Sequence, residues 1–464
     1  MTNDLTLTID GIAAGGRGVA FHDHKPVFIP YTIPGEVVTA RITAEGERHS
    51  EAEGITLIEA SADRVFPACK HFGVGRCALC QWQHIDYAAQ LLLKQDILAD
   101  QLSRLGKLSD RDIERALRPV IPAPLLWGYN HHISFSVIPP EGDPPALADH
   151  ADEDDTEDAY GGQFIARGRL GTPSTDEGRM ITLEECPVTH PDVMTLVEQL
   201  QLDLTGIKRV RLEIGSDGAL MIVLSIITEQ DEPELESDFP ASVNLLLPDN
   251  EPMNLIGDSH SRFLVNGRWF RATAGSFFRA NVGGVGILAK TVSDLLAART
   301  TDSVLDLYAG VGVLSAAAAE RAALVTLVES YPPTATDADE NLADLEHVEV
   351  IEGSAANALE DLEDEYNSII VDPPSAGLGD EIVRLIGERA PARLVYVSSD
   401  PASLARDVKR LATVGYRLTT AQPIDLAPQT YYLETVARFD RVVPSGGKTA
   451  TAAASRSGAK GRRR

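Results

Sequence analysis

The sequence predicts an α/β protein whose C-terminal part is a doubly wound parallel sheet, preceded by a small β-barrel and a central mixed region. Three observations predict it. From about residue 283, short apolar runs alternate with helical stretches, the pattern of parallel strands with crossover helices. The first 60 residues instead carry Val, Ile and Thr at period two, broken by Gly-Gly and Pro-Gly, as in a small barrel. The chain is 464 residues long and 44% hydrophobic, enough for about three domains with separate cores.

In order, the barrel strands read "LTLTIDGIAAGGRGVAF", "KPVFIPYTIPGEVVTARITAE" and "EAEGITLIEA". A cysteine-bearing knot follows, then the helix "DYAAQLLLKQDILADQLSRLG". Residues 119 to about 270 mix strand and helix signals, with "LADHADEDDTEDAY" as an acidic, solvated loop. The strands of the last part are "SVLDLYAG", "LVTLVES", "VEVIEG", "NSIIVDPP" and "RLVYVSSD". These shifts divide the chain into a barrel at 1–62, a central domain at 63–282, a sheet domain at 283–444 and a basic tail at 445–464.

The formal charge of −28 opposes a polyanionic partner as a whole. The tail holds six Lys or Arg and no acid, which leaves −34 on residues 1–444. Its composition predicts disorder, with RNA contact and solubility as its two open uses. A nucleic-acid partner requires a local basic groove that the total conceals. No apolar run reaches the ~20 residues of a bilayer span, and the N-terminus lacks a basic-then-apolar leader. A cytoplasmic, membrane-free protein is expected.

The only four cysteines are Cys69, Cys77, Cys80 and Cys186. Thiolates separated by two residues, as at 77 and 80, can reach one metal centre from a tight turn. Four thiolates complete either a zinc site or an iron–sulfur cluster, and spacing does not separate the two.

"SVLDLYAGVGVLS" reads as strand, glycine turn and helix start, with Gly310 and Gly312 letting a ligand approach the backbone. Glu329 tips the next strand, where a carboxylate can accept from a ribose diol. Asp372 ends the strand "IIVDPPS" at the same edge. Together, in this order, they indicate a class I S-adenosylmethionine (SAM) pocket.

At this point the sequence strongly resembles the RNA uracil-C5 methyltransferases of the TrmA and RlmD type, over nearly its whole length. The barrel looks like that family's TRAM domain, an OB-like RNA-binding module. "CKHFGVGRCALCQWQHIDYAAQLLLKQ" with Cys186 resembles its four-cysteine [4Fe-4S] site. "GSFFRANVGG", "VLDLYAGVG", "VES", "VDPPSAG", "VYVSSDPASLARD" and "PQTYYLETVARFDR" match its catalytic motifs in order. The resemblance implies a monomeric enzyme acting on rRNA or tRNA with SAM. It places Arg279, Tyr308, Gly310, Gly312, Glu329 and Asp372 at the cofactor and Glu434 as proton acceptor.

In that family a cysteine thiolate adds to uracil C6, which makes C5 nucleophilic toward the SAM methyl. Its seat is a Ser-Cys-Asn-Pro turn, and here the turn reads Ser398-Ser399-Asp400-Pro401. Ser399 thus stands for the thiol. A thiol has a pKa near ~8.5, whereas a serine hydroxyl needs a strong base. Arg279 replaces the usual Gln, Val313 a polar residue, Ser375 an Arg and Tyr432 a His. Three functions stay open: a uracil-C5 methyltransferase with an unusual nucleophile, an inactive RNA-binding paralogue, or a methyltransferase with altered chemistry.

Overall fold

The computed structural model describes residues 4–138, 169–200, 204–229 and 240–442. The acidic stretch and the basic tail lie outside these residues. None of the described helices is long and apolar enough to cross a membrane.

The N-terminal strands are β1 (Asp4–Thr8), β2 (Gly11–Ile12), β3 (Gly18–His22), β4 (Lys25–Ile29), β5 (Val37–Glu45) and β6 (Ser50–Glu59). They form one sheet ordered β1-β5-β6-β4-β3-β2. Its period-two pattern sends Leu7, Ile9, Ala20, Val27, Ile29, Val38 and Ala40 into one core.

Helices α1 (Tyr87–Arg104) and α2 (Asp110–Ala116) follow, capped by the side chains of Asp86 and Ser109. The buried stripe of α1 contains Leu98 and Leu102 but also Gln90 and Lys94. Those two polar groups reach residues 425–429 near the C-terminal strands, as described below.

The mixed region resolves into β7 (His132–Ile138), β8 (Arg169–Pro173), β9 (Met180–Ile181), α3 (Pro191–Gln199), β10 (Ile207–Ile214), β11 (Leu220–Ile226), β12 (Ala241–Leu246) and β13 (Pro252–Ile256). The strands make a seven-stranded sheet, β13-β12-β11-β10-β7-β8-β9. The hairpin β14 (His260–Val265) and β15 (Arg268–Thr273) leads out of it.

The last part comprises α4 (Val282–Leu296), β16 (Ser303–Leu307), α5 (Val313–Ala319), β17 (Leu324–Glu329), α6 (Pro332–Leu342), β18 (Val348–Glu352), α7 (Ala355–Asp361), β19 (Ser368–Val371), α8 (Gly379–Arg389), β20 (Arg393–Ser398), α9 (Pro401–Thr413), β21 (Tyr416–Ile424) and β22 (Glu434–Arg441). The sheet order is β18-β17-β16-β19-β20-β22-β21. The five predicted strands are parallel. The sheet is not wholly parallel, because β21 and β22 close it antiparallel. Gly415, at φ 92°, turns α9 straight into β21, and residues 425–433 return β22 between β21 and β20.

Both faces are covered: on one, Leu404 and Val408 of α9 and Ile382 and Ile386 of α8 share a core with Leu305, Leu307 and Tyr396, and α1 packs on α9; on the other, Leu288 and Val292 of α4 share a core with Val304, Ile370 and Val395. Strands buried on both faces read as continuous apolar runs, which is why they were visible in the sequence. The strand order reverses at β16 and β19, and a ligand crevice is expected at their carboxyl ends.

Candidate active site

Beyond β16 the chain turns through three left-handed positions, Tyr308 (φ 61°), Gly310 (φ 56°) and Gly312 (φ 89°). A side chain at Gly312 would put Cβ 2.7 Å from Leu342 Cδ1, so glycine there lets the turn seat on α6. Gly310 differs: a Cβ there would meet nothing within 4 Å. The space before the turn is therefore open to a ligand. Glu329 accepts hydrogen bonds from the backbone N–H groups of Gly310 (3.0 Å), Ser330 (2.7 Å) and Tyr331 (2.8 Å). The carboxylate assigned to a ribose also holds the glycine turn in place.

The segment after β15 delivers Arg279 to the same edge. Asn281 anchors it by accepting from Gly284 N–H (3.0 Å) at the start of α4 and donating to the Leu426 carbonyl (2.8 Å). Arg279 Nη1 and Nη2 each donate to one oxygen of Asp372 at 2.8 Å, and Nε donates to Glu434 Oε1 at 3.4 Å. Burial lowers the affinity of this guanidinium for its proton. The two carboxylates outweigh that and hold its pKa above the ordinary value.

Burial raises the Glu434 pKa, and repulsion from Asp372 adds to it against the pull of Arg279. Glu434 Oε2 is buried without a hydrogen-bond partner. A carboxylate so placed is a stronger base than one in water.

Strand register sets the Ser399 turn beside the start of β22. Ser398 of β20 pairs with Thr435 of β22, so one step further sets Ser399 opposite Glu434. Ser399 is exposed, and its hydroxyl has no hydrogen-bond partner among the described residues. Asp400 does not face it as a base. Its carboxylate caps α9, accepting from Ser403 N–H at 2.6 Å.

The loop that precedes Glu434 is braced from α1. Lys94 Nζ donates to Asp425 Oδ1 (2.7 Å) and to the Ala427 carbonyl (3.0 Å), with both charged side chains fully buried. Gln90 and Gln429 exchange two hydrogen bonds of 3.0 Å, and the Trp82 N–H donates to the Gln429 carbonyl at 2.9 Å. Through "QWQH" this brace adjoins the cysteines, since Cys69 N–H donates to Gln83 Oε1 at 3.0 Å.

The four cysteines carry no disulfide and line one cavity. Its void is about 280 Å³ with the open mouth included. Backbone N–H groups of His71 and Leu79 point at Cys69 Sγ (3.4 Å) and Cys77 Sγ (3.5 Å). Burial pushes the Cys69 and Cys77 thiols up and the Cys80 thiol to about 12. Among the described residues no three His, Cys, Asp or Glu side chains form a group that could hold one metal ion.

The sequence places Gly310, Gly312, Glu329 and Asp372 at one sheet edge, and the strand ends carry them there; Arg279, Tyr308, Ser399 and Glu434, which the resemblance adds, lie at or beside that edge, Arg279 on the segment between β15 and α4. Sequence reasoning missed Asp306, which lies inside the quoted "VLDLYAG". Asp306 is fully buried, accepts from Ser315 Oγ at 2.6 Å and leaves Oδ1 unpartnered. Burial, with repulsion from Asp372 and Glu329, raises its pKa to about 7. The signal was an acid in an otherwise apolar strand. Lys94 and Gln90 were missed too, although polar residues on an apolar helix stripe are the corresponding sign.

The chain is similar to known proteins over nearly its whole length. Residues 268–413 match the family model described as conserved hypothetical protein 95. A protein of Streptomyces avermitilis named as an uncharacterized RNA methyltransferase is 31% identical, covering 94% of this chain and 98% of its own. The 23S rRNA (uracil(1939)-C(5))-methyltransferase RlmD of Shewanella sediminis is 29% identical, covering 94% and 96%. The solved tRNA (uracil-54, C5)-methyltransferase of Pyrococcus abyssi, in complex with S-adenosyl-L-homocysteine, shares the fold. Its TM-score is 0.68 and its identity 20%, over 94% of this chain and all of that one. The chain belongs to the RNA methyltransferase family that includes the RlmD-type uracil-C5 enzymes.

Proposed function

We propose that this protein binds SAM at the carboxyl edge of β16 and β19 and methylates C5 of a uridine in rRNA or tRNA. The observation that carries the proposal is the tie that Arg279 makes between Asp372 and Glu434 at the sheet edge that also carries the open glycine loop and, one register step from Glu434, the Ser399 turn.

SAM, when bound, supplies the electrophilic methyl group. The backbone of residues 308–312 gives it an open cradle, and Glu329 retains lone pairs for a ribose while holding that cradle. Ser399 occupies the seat from which the family's nucleophile adds to C6. Its oxygen would bond to C6 as the hydroxyl proton passes to solvent, C5 would then take the methyl group with release of S-adenosyl-L-homocysteine, and the C5 proton would pass to the buried free oxygen of Glu434 as the C6–O bond breaks and the serine regains a proton. Glu434 suits that task because burial makes it more basic.

The four cysteines fit a [4Fe-4S] cluster. They face a single cavity rather than one point, and two of the sulfurs accept backbone N–H hydrogen bonds, as cluster thiolates do. Cys69, Cys77, Cys80 and Cys186 would hold it. Bound there, it would fasten the 69–80 loop to the segment at 186, behind the brace on the Glu434 loop. The N-terminal sheet is read as a TRAM-type RNA-binding module.

One observation favours a second reading, a non-catalytic RNA-binding relative: the Ser399 hydroxyl has no hydrogen-bonded base. The deciding experiment incubates purified protein with methyl-labelled SAM and total RNA from cells lacking it. SAM binding with 5-methyluridine formation, lost in Glu434→Gln, is the expected result. SAM binding without transfer to any RNA selects the second reading. Absence of SAM binding overturns the proposal.

A further inference from the structure

We propose that the groove between α1, α8 and α9 is a track for the phosphates of the RNA strand that enters the active site. The inference rests on the reading of the protein as an RNA methyltransferase. The groove has a volume of about 650 Å³ and a floor that includes Leu105, Val383 and Val414. Its rim carries Arg104, Lys107, Arg384, Arg406, Lys409 and Arg410 against one carboxylate, Asp380. On a chain of net charge −28 such a concentration of cations is the local basic surface that a polyanion requires.

Three of the six are already engaged: Arg104 with Asp100, Arg384 with Glu388, and Arg410 with Asp407 and Asp380. Lys107, Arg406 and Lys409 are exposed and have no carboxylate partner among the described residues. Unpaired cations displace counterions when they meet phosphate, which is the main driving force of nucleic-acid association.

The groove and the active-site turn share helix α9. Helix α9 starts directly behind the Ser399–Asp400 turn. Ser403 Oγ donates to the Ser375 carbonyl (2.6 Å), in the loop after Asp372, and Arg406 Nη2 donates to Ser403 Oγ (2.8 Å). Lys409 lies nine residues from Asp400, roughly 14 Å along the helix. Cations at successive turns of a helix that begins at the catalytic turn suit a strand running outward from it. An acidic protein would gain nothing from a helix shared with the active-site turn.

The test measures binding of a fluorescein-labelled single-stranded oligouridine by anisotropy across a salt series. Lys107→Glu with Lys409→Glu should weaken binding at least about tenfold at about 100 mM salt and lower the log–log salt slope by about 1.4. SAM affinity should not change, because neither side chain touches the cofactor edge. Lys107→Gln with Lys409→Gln should give a smaller loss in the same direction, and it decides the matter if charge reversal impairs folding. Wild-type affinity and slope in a correctly folded variant, with methyl transfer to RNA intact, would overturn the track and leave the proposed function standing. No oligouridine binding and no methyl transfer by wild type would overturn both. Unchanged RNA affinity with lost binding of polyglutamate would give the groove to an acidic protein and overturn the track.

Discussion

Arg279 grips both carboxylate oxygens of Asp372 with its two terminal nitrogens at 2.8 Å, and its third nitrogen reaches Glu434. One guanidinium thereby serves two largely buried carboxylates. Without it, Asp372 and Glu434 would repel each other in a low-dielectric setting. Arg279→Ala should destabilise the protein by about 3–5 kcal/mol, the usual cost of stranding a buried charge. Burial already favours the protonated form of Glu434, so the deficit should shrink as pH falls. Thermal melts of both proteins at pH 8 and pH 5 check this. A pH-independent deficit would mean that the loss is one of packing alone.

Asp306 supplies a second pH signature. Its folded pKa of about 7 lies above the ~3.9 of an unfolded aspartate. Between those values the folded state holds a proton that the unfolded chain has lost. Stability from this site is therefore complete below about pH 4 and declines as pH rises through 7. Asp306→Asn keeps an acceptor for Ser315 and removes the ionisation. It should raise stability by about 1–3 kcal/mol at pH 8 and by little at pH 4, read as a gain in melting temperature that grows with pH. A gain of equal size at both pH values would count against the buried, titrating aspartate.

Lys94 and Asp425 form a pair with no exposure on either side. Burial depresses the lysine pKa, and the aspartate opposes that shift. Lys94→Met leaves Asp425 uncompensated under the loop that leads to Glu434. A loss of about 3–5 kcal/mol is expected, with much of it recovered in Lys94→Met combined with Asp425→Leu. Denaturant titration of the two single variants and the double variant checks the recovery. If the double variant is as unstable as the sum of the singles, the pair is not coupled.

The legibility of this molecule in its sequence followed the physics of each part. Strands β16 to β20 were plain because sheets covered on both faces need unbroken apolar runs. Their ends carried Tyr308, Glu329, Asp372 and Ser399 to one edge without further information. Strands β21 and β22 were hidden, because "TYYLETVARFD" mixes polar and apolar residues as a closing antiparallel strand does and gives no crossover helix. The seven-stranded central sheet was equally obscure, its strands being separated by insertions. The Arg279–Asp372 contact joins residues 93 positions apart, and the Gln90–Gln429 exchange spans 339, distances over which no local pattern operates.

The Ser399 turn offers the most direct test of the chemistry. Asp400 caps α9 through its carboxylate, and asparagine is an equally good cap, so Asp400→Asn should leave the helix start intact. Ser399→Cys adds a thiol at an exposed position with no packing to disturb. The double variant restores the family's Ser-Cys-Asn-Pro turn opposite Glu434. It should form a stable protein–RNA adduct with RNA containing 5-fluorouracil, since fluorine at C5 cannot leave as a proton does. Its 5-methyluridine formation should exceed wild type by at least about tenfold, because a thiolate near its pKa is available and an alkoxide is not. The gain should remain partial, since Arg279 still pairs with Glu434, the carboxylate proposed to accept the C5 proton. Adding Arg279→Gln should extend it, provided the loss of stability argued above does not unfold the site. Denaturing gel shifts read the adduct and nucleoside mass spectrometry reads the product. Robust wild-type methylation that Ser399→Ala leaves unchanged would show that the nucleophile sits elsewhere.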